Sequence, residues 1–400
     1  MPNTNPLVAR QYNEWVYPAP IEDLAVWTKN HCQHCDPSLH HAIIWPERAA
    51  NPKLSILVAG CGTSQAAILA YTNPRASVVG IDISAASLAH AARLKSKHNL
   101  ANLELHEMDL HAAFALNRKF DLIYATGVLH HLPDARSGLE ALSWILEDKG
   151  VICAMLYAKY ARAGIHMMQE TLRRMGAEQD AEGITLVKQM IAALPPRHPA
   201  QAYIRGATRD LSSDAGIVDT FLHKEDHAFI VPEILAMADD RGLAFQGWTD
   251  NLDYYPDGVL APDHPLFAKI AALPEPEQWA VIEFLFQPTG FHSFLLRKKN
   301  EDAREFRIDF NGDNFMRLIP QRRHLLEVKE EPNATILTRA GHTSRLEGCE
   351  RNVFMAIDGA KNCGAIIAEQ ARGTNAENKA RRVFARLWRL GHLAFKNARQ

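Results

Sequence analysis

Two glycines closing a short apolar run, with a carboxylate one strand further on, constrain this chain more than any other feature. The run Leu54-Ser-Ile-Leu-Val-Ala59 has the continuous apolar character of a strand buried on both faces. Gly60 and Gly62 then allow a tight turn and a close approach of backbone to a ligand, where any side chain would stand in the way. Gln65 to Tyr71 predicts the crossover helix, and Val78 to Ile81 the next parallel strand. Asp82 falls at the carboxyl end of that strand, about 20 residues past the glycines, where an acid can accept both hydroxyls of a ribose. This unit predicts an adenosine-type ligand at the carboxyl edge of an open α/β sheet.

The ligand is narrowed by what the loop lacks. A dinucleotide fingerprint needs a third glycine where Gln65 stands, so that a helix N-terminus can lie against pyrophosphate. A phosphate-binding Gly-Lys-Ser/Thr run is absent from the chain. Ala59-Gly-Cys-Gly-Thr-Ser64 instead resembles the first motif of class I S-adenosylmethionine-dependent methyltransferases. It departs from that motif at Val58, where an acid is usual, and at Ser64, where a third glycine is frequent.

A second block supports the same resemblance. Phe120-Asp-Leu-Ile-Tyr-Ala-Thr-Gly-Val-Leu-His-His-Leu-Pro-Asp134 predicts a central strand opening into a loop at the switch point of the sheet. It is similar to the family's fourth motif. The resemblance implies S-adenosyl-L-methionine as cofactor. Ala59, Gly60, Cys61 and Gly62 would shape the methionine pocket, and Asp82 would hold the ribose. Ile83, Asp109 and Leu110 would flank the adenine, with Thr126, Gly127 and Val128 as the opposite wall. His130 and His131 are candidate catalytic bases, since imidazole titrates near neutrality; the alternative is that they pack against the cofactor and the next helix.

The flanks supply candidates for the acceptor side. Val8 to Pro18 reads as a short helix ended by proline, and by resemblance Tyr12 and Tyr17 are lid residues; aromatics covering a sheet edge are the alternative. After the fifth strand, Val151 to Tyr157, the alternation breaks into helical stretches at 165–175, 184–194 and 200–208. Such an insertion sits above the methyl donor and predicts a substrate cap, with Tyr157, Tyr160 and His166 among its first pocket residues. The segment Asp219-Thr-Phe-Leu-His223-Lys-Glu-Asp226-His227 is a further candidate.

The expected architecture is α/β, a Rossmann-like, seven-stranded, mostly parallel sheet with a helical cap insertion, followed by a smaller α+β domain of winged-helix-like shape. The expected division is a lid segment (1–50), a methyltransferase domain (51–298, cap 158–229) and an accessory domain (299–400). In the last, short strands are predicted at 304–310, 315–319, 325–328 and 335–338, and helices at 350–357, 363–370 and 376–390. Residues 372–400 carry Arg372, Lys379, Arg381, Arg382, Arg386, Arg389, Lys396 and Arg399 against Glu377 alone. That face could bind phosphate, or it could be the solvated side of a partner or homodimer domain.

Composition decides a few classes. With 44 basic and 46 acidic residues in 400, no global charge draws the chain to nucleic acid or membrane. No apolar run reaches the roughly 18 residues of a membrane span. The opening residues lack a signal-peptide pattern, and six cysteines in a chain this long suit a reducing compartment, so a cytoplasmic protein is expected. Cys32 and Cys35 with His40 or His41 could hold a metal, but a closed structural site wants a second Cys-x-x-Cys pair, and no metal is expected. The function implied is methyl transfer to an oxygen, nitrogen or carbon nucleophile of a small or medium organic acceptor. The alternatives are a nucleic-acid methyltransferase using the basic segment and a cofactor-binding regulator without turnover.

Overall fold

The computed structural model describes residues 6–207, 210–370 and 375–397. The chain divides into two units, one of Met1–His34, Pro52–Phe245 and Thr289–Lys299, the other of Cys35–Asn51, Gln246–Pro288 and Asn300–Gln400. The second unit therefore takes in residues 35–51 and 246–288, which the sequence alone assigns to the lid and the methyltransferase domain. The division also falls between His34 and Cys35, leaving Cys32 in one unit and Cys35, His40 and His41 in the other.

The strands of the main sheet, in the first unit except for β7 from Gln246 on, are β1 (Ser55–Ala59), β2 (Ser77–Asp82), β3 (Leu103–Glu107), β4 (Phe120–Thr126), β5 (Leu146–Ala158), the two-residue β6 (Ala228–Phe229), β7 (Leu243–Trp248) and β8 (Phe291–Lys298). Their order is β3-β2-β1-β4-β5-β8-β7, with β6 beside β5. Strands β1 to β5 pair in parallel, and β8 runs antiparallel to β5, with Ile152 opposite Leu296. Ile56, Leu57, Val58 and Ala59 of β1 and Leu122 to Ala125 of β4 are fully buried, as a sheet covered by helices on both faces requires. The order reverses between β1 and β4, so the crevice for a ligand opens at the carboxyl ends of these two strands.

The cap is built as expected from helices Ala163–Arg174, Ala181–Ala193 and Ala200–Gly206; the predicted end of the last, Thr208, lies outside the described residues. A further helical turn over Asp214–Leu222 follows. Ile165, Met168, Leu172, Ile184, Val187, Phe221 and neighbours form a core of their own, so the cap is held by apolar burial rather than by loop contacts.

The second unit holds β9 (Leu318–Arg322) paired with β13 (Leu393–Asn397), and an antiparallel sheet of β10 (Glu327–Glu331), β11 (Ala334–Arg339) and β12 (His342–Glu347). Helices Gly348–Met355, Cys363–Gln370 and Ala376–Arg389 follow the sheet. Two expectations are corrected. The stretch 304–310 is no strand: Asp302 accepts the Arg304 amide and caps a short helix, Ala303–Phe306. Phe315 lies in a 3-10 turn, and its strand begins only at Leu318.

The basic helix is also less open than its pattern suggests. Arg381 is buried, donating to Glu377 and to the carbonyls of Phe310 and Gly312. Arg386 donates to both carboxylate oxygens of Glu350 at 2.9 Å, and Arg389 lies 3.7 Å from Asp257. Arg372 and Arg399 lie outside the described residues.

Buried histidine makes this unit acid-sensitive. His392 is fully buried, with Ser344 Oγ 2.9 Å from its Nε2. Burial first, then His342, Arg339 and Arg386, push its pKa from 6.5 to about 3, against a weaker opposing pull from Asp250. The folded value is depressed, so below pH 6.5 the unfolded chain takes a proton that the folded chain refuses. The stabilisation is whole above that pH and falls as pH drops toward 3, by about 1.4 kcal/mol per pH unit. Urea unfolding at about pH 7.5 and about pH 5 should show a drop in midpoint that shrinks in His392→Gln. An equal drop in both proteins would exclude His392 as its source.

Candidate functional site

The first wall of the crevice is the loop after β1. Gly60 has φ +64° and Gly62 φ +55°, the left-handed region that only glycine enters without cost. A Cβ on Gly60 would lie 2.7 Å from Val128 Cγ2, and one on Gly62 would lie 3.4 Å from Pro18 Cδ. Cys61 is buried and its amide donates to the Ile81 carbonyl at 3.0 Å, tying the loop to β2. Gly60→Ala should therefore lower both stability and cofactor affinity, the backbone strain alone costing about 1–2 kcal/mol. Thermal unfolding with and without S-adenosylhomocysteine reads both effects; a variant of native stability and affinity would contradict the close packing on Val128.

Asp82 occupies the corner beside this loop. Its Oδ2 accepts the Gly62 amide at 2.8 Å and its Oδ1 the Ser84 amide at 2.9 Å. Burial raises its pKa, and these amides oppose the rise. The carboxylate is thus fixed in place, with lone pairs to spare for further donors. Next to it a cleft of about 580 Å³ lies between Ile83, Glu107, Met108 and Asp109 and the N-terminal helix residues Pro6, Ala9, Arg10, Asn13 and Glu14. Asp109 Oδ1 accepts the amide and ring N–H of His111, capping a 3-10 turn that begins at Leu110, which is buried. On the opposite wall Thr126 Oγ1 lies 3.5 Å from Gln65 Nε2, and Gly127 has φ +77°. Glycines at a close approach, a held carboxylate and a flat cleft beside it fit the sugar and base of S-adenosylmethionine.

The N-terminal segment is tied by hydrogen bonds to the loops beside this crevice. Asn13 Oδ1 accepts from Ser84 Oγ at 3.0 Å and from the Ala86 amide at 3.2 Å, and Ser84 Oγ also donates to the Tyr12 carbonyl. Thr63 Oγ1 donates to the Pro18 carbonyl at 3.1 Å, so the segment is fastened at both ends to the loops that hold the cofactor corner. Tyr12 Oη donates to Asp219 at 2.8 Å, and the Tyr17 hydroxyl is held un-ionised by burial and by Asp219 and Asp210.

A third group gathers beneath the cap. His130 is fully buried and stacked on Tyr157, ring centroids 3.8 Å apart. Burial first, then the neighbouring His131 and Arg162, push its pKa well down. His131 differs. Its Nδ1 lies 2.9 Å from the Glu225 carbonyl, which can only accept, so Nδ1 carries a proton and, in the neutral ring, Nε2 has the lone pair.

The ring of His223 stacks on His131 at 3.9 Å and has the opposite tautomer. Its Nδ1 accepts the Glu225 amide, so its Nε2–H donates toward Tyr12 Oη, 3.3 Å away. The polar chain runs Glu225 to His223 to Tyr12 to Asp219, and Asp219 is buried. Behind it Arg162 pairs with Asp226 at 3.1 Å, both almost fully buried. Arg162 also donates to Tyr203 Oη and covers the Tyr157 ring.

Of the candidates, Tyr160 is 41% exposed, whereas Tyr12, Tyr157, His130 and His131 gather here. Arg162, Gln169 and Tyr203 also belong to this group. Arg162 stands at the N-cap of the helix Ala163–Arg174, just ahead of the buried Ile165 and Met168, and a charged residue leading into such an apolar face is the signal that could have marked it.

Residues 50–200 match the family model of a methyltransferase domain. An uncharacterised protein of Synechococcus sp. is 30% identical over 250 residues, 60% of either chain. Trans-aconitate 2-methyltransferase of Deinococcus radiodurans is 29% identical over 210 residues, 52% of this chain and 74% of that protein. The match to the Synechococcus protein spans less than two thirds of that protein's length. Among solved structures, PKMT2 from Rickettsia typhi superposes with a TM-score of 0.65 at 15% identity, over 90% of this chain and 75% of its own. Its complex with AdoHcy gives 0.64. These structures share the fold.

Proposed function

We propose that this chain, which carries a class I S-adenosylmethionine-dependent methyltransferase domain, transfers a methyl group to an oxygen, nitrogen or carbon nucleophile of a small or medium organic acceptor. The observation that carries the reading is the position of Asp82, fixed on the amides of Gly62 and Ser84 beside the strained glycine loop. Gly60, Gly62 and Val128 would form the methionine side, Asp82 the ribose seat, and Ile83 and Asp109 the adenine edges. The cofactor supplies an electrophilic methyl group on a sulfonium, whose thioether leaving group needs no acid. What the chain must supply is position and exclusion of water.

The lid and cap residues serve that end. Tyr12, Tyr157, His131 and Asp219 would form the acceptor wall, with His131 Nε2 available to take a proton from the nucleophile. The name of the Deinococcus protein gives trans-aconitate as that relative's acceptor, a molecule within the size range of this reading. The engagement of Arg381, Arg386 and Arg389 by carbonyls and acids supports a small acceptor over nucleic acid.

Isothermal titration with S-adenosylhomocysteine, followed by tritium transfer from labelled cofactor into a metabolite extract, tests the reading. Binding with transfer supports it. Binding without transfer into any fraction would leave a cofactor-responsive regulator instead, and no binding would remove the cofactor assignment.

A further inference from the structure

The acceptor wall is unevenly charged. Asp219 is 4% exposed, and among the described residues no lysine or arginine pairs with it; its hydrogen bond comes from the Tyr12 hydroxyl. Asp226 spends Oδ2 on Arg162 and Gln169, while its buried Oδ1 has no hydrogen-bond partner. Burial pushes the Asp219 carboxyl up, opposed first by the adjacent His131 and less by Arg162, so one guanidinium and one imidazole face two buried carboxylates. An uncompensated carboxylate out of water is costly, and a bound cation would relieve that cost. Tyr12 and Tyr17 stand half-buried beside Asp219, and the faces of such rings attract ammonium groups, while the rings of Tyr157 and Tyr203 already lie against Arg162.

A metal ion is the other cation to consider, since His131, Asp219 and His223 bring one ligand atom each within 4.8 Å of the others. The backbone excludes it. The Glu225 amide donates to His223 Nδ1, so Nε2 of that ring carries a proton and has no lone pair to give. A metal triad needs the reverse, with the outer ring nitrogen donating to a carbonyl or carboxylate. His131 has that arrangement, which leaves its Nε2 as a proton acceptor.

We propose that the methyl acceptor is an aliphatic amine, received as its ammonium form by Asp219 and Asp226 within the tyrosine-lined wall. This rests on the methyltransferase reading above and narrows its acceptor. The ammonium loses one proton to His131 Nε2. The freed nitrogen lone pair forms the bond to the methyl carbon as the carbon–sulfur bond breaks, its electron pair staying on sulfur. The products are a methylated ammonium, the neutral thioether and a protonated His131. A carboxylate acceptor would instead enter against Asp219.

The full chain loaded with S-adenosylhomocysteine is titrated with n-hexylamine and with hexanoate, and the Asp219→Asn variant with both. The amine should bind in preference to the acid, and the variant should lose at least about tenfold in amine affinity while its S-adenosylhomocysteine affinity stays unchanged. In the companion assay, label from tritiated cofactor should appear as a base-stable cation retained on a cation exchanger. Label in the small-molecule filtrate marks a free amine, and label in the protein fraction marks a lysyl side chain.

Hexanoate binding tighter than hexylamine, unaltered amine affinity in Asp219→Asn, or label released by base as methanol would each overturn the amine assignment and leave the methyltransferase reading standing. Absence of S-adenosylhomocysteine binding in the wild type would overturn both.

Discussion

Asp82→Ala should bind S-adenosylhomocysteine well over tenfold more weakly than the wild type. The wild-type carboxylate is 9% exposed and accepts the amides of Gly62 and Ser84, so it cannot rotate out of its corner. In the proposed complex the two ribose hydroxyls find two charged acceptors already in place, each such hydrogen bond contributing roughly 1.5–3 kcal/mol. Alanine removes both and also leaves two buried amides without partners, which costs stability as well. Asp82→Asn separates these effects. Its carbonyl keeps one amide, but its amino group turns a donor toward the other and removes the charge. Affinity should fall by at least about tenfold with a smaller loss of thermal stability than in the alanine variant. Calorimetric titration of both proteins gives the answer, and a dissociation constant that neither substitution changes would refute the ribose assignment.

Much of this corner was legible in the sequence because its signals are local. A strand buried on both faces must be apolar throughout, and Ile56 to Ala59 are so; the glycines at 60 and 62 answer a backbone demand that no other residue meets. The cap was legible for a similar reason, since its apolar residues recur at helical spacing. What sequence could not supply was pairing over distance. Nothing local ties Tyr12 to Asp219, which lies 207 residues away. Nor does anything local say that residues 35–51 and 246–288 belong with the C-terminal unit. Arg381 shows the converse failure. On a helical wheel it lies on the charged face, yet carbonyls of Phe310 and Gly312 fold over it, and a buried arginine looks like an exposed one until its partners are seen. The strand His342–Glu347 was missed because Thr343 and Arg345 are exposed and polar, so only Ser344 and Leu346 mark its inner face.

The buried pair under the cap leads to the second large effect, this time on stability. Arg162 and Asp226 have side chains 1% and 3% exposed, 3.1 Å apart. The guanidinium also donates to Tyr203 Oη at 2.8 Å and lies 3.7 Å from the Tyr157 ring centroid. Arg162→Ala removes all of this at once and leaves Asp226 with Gln169 alone, in a site too dry to solvate a charge. The expected loss is about 3–5 kcal/mol, the usual cost of stranding one buried ion. Part of it should be recoverable. In Arg162→Met/Asp226→Asn neither member of the pair keeps a charge, methionine refills the space over Tyr157, and the asparagine carbonyl still accepts from Gln169. Pairs replaced in this way are often no less stable than the originals, so the double variant should unfold at a higher urea concentration than Arg162→Ala. Additive losses would mean that packing rather than charge fixes the cap. S-adenosylhomocysteine affinity should stay close to wild type in the double variant, since neither residue lines the Asp82 corner. A stability loss without an affinity loss would thus assign Arg162 to the architecture of the acceptor wall and leave the cofactor seat to the glycine loop and Asp82.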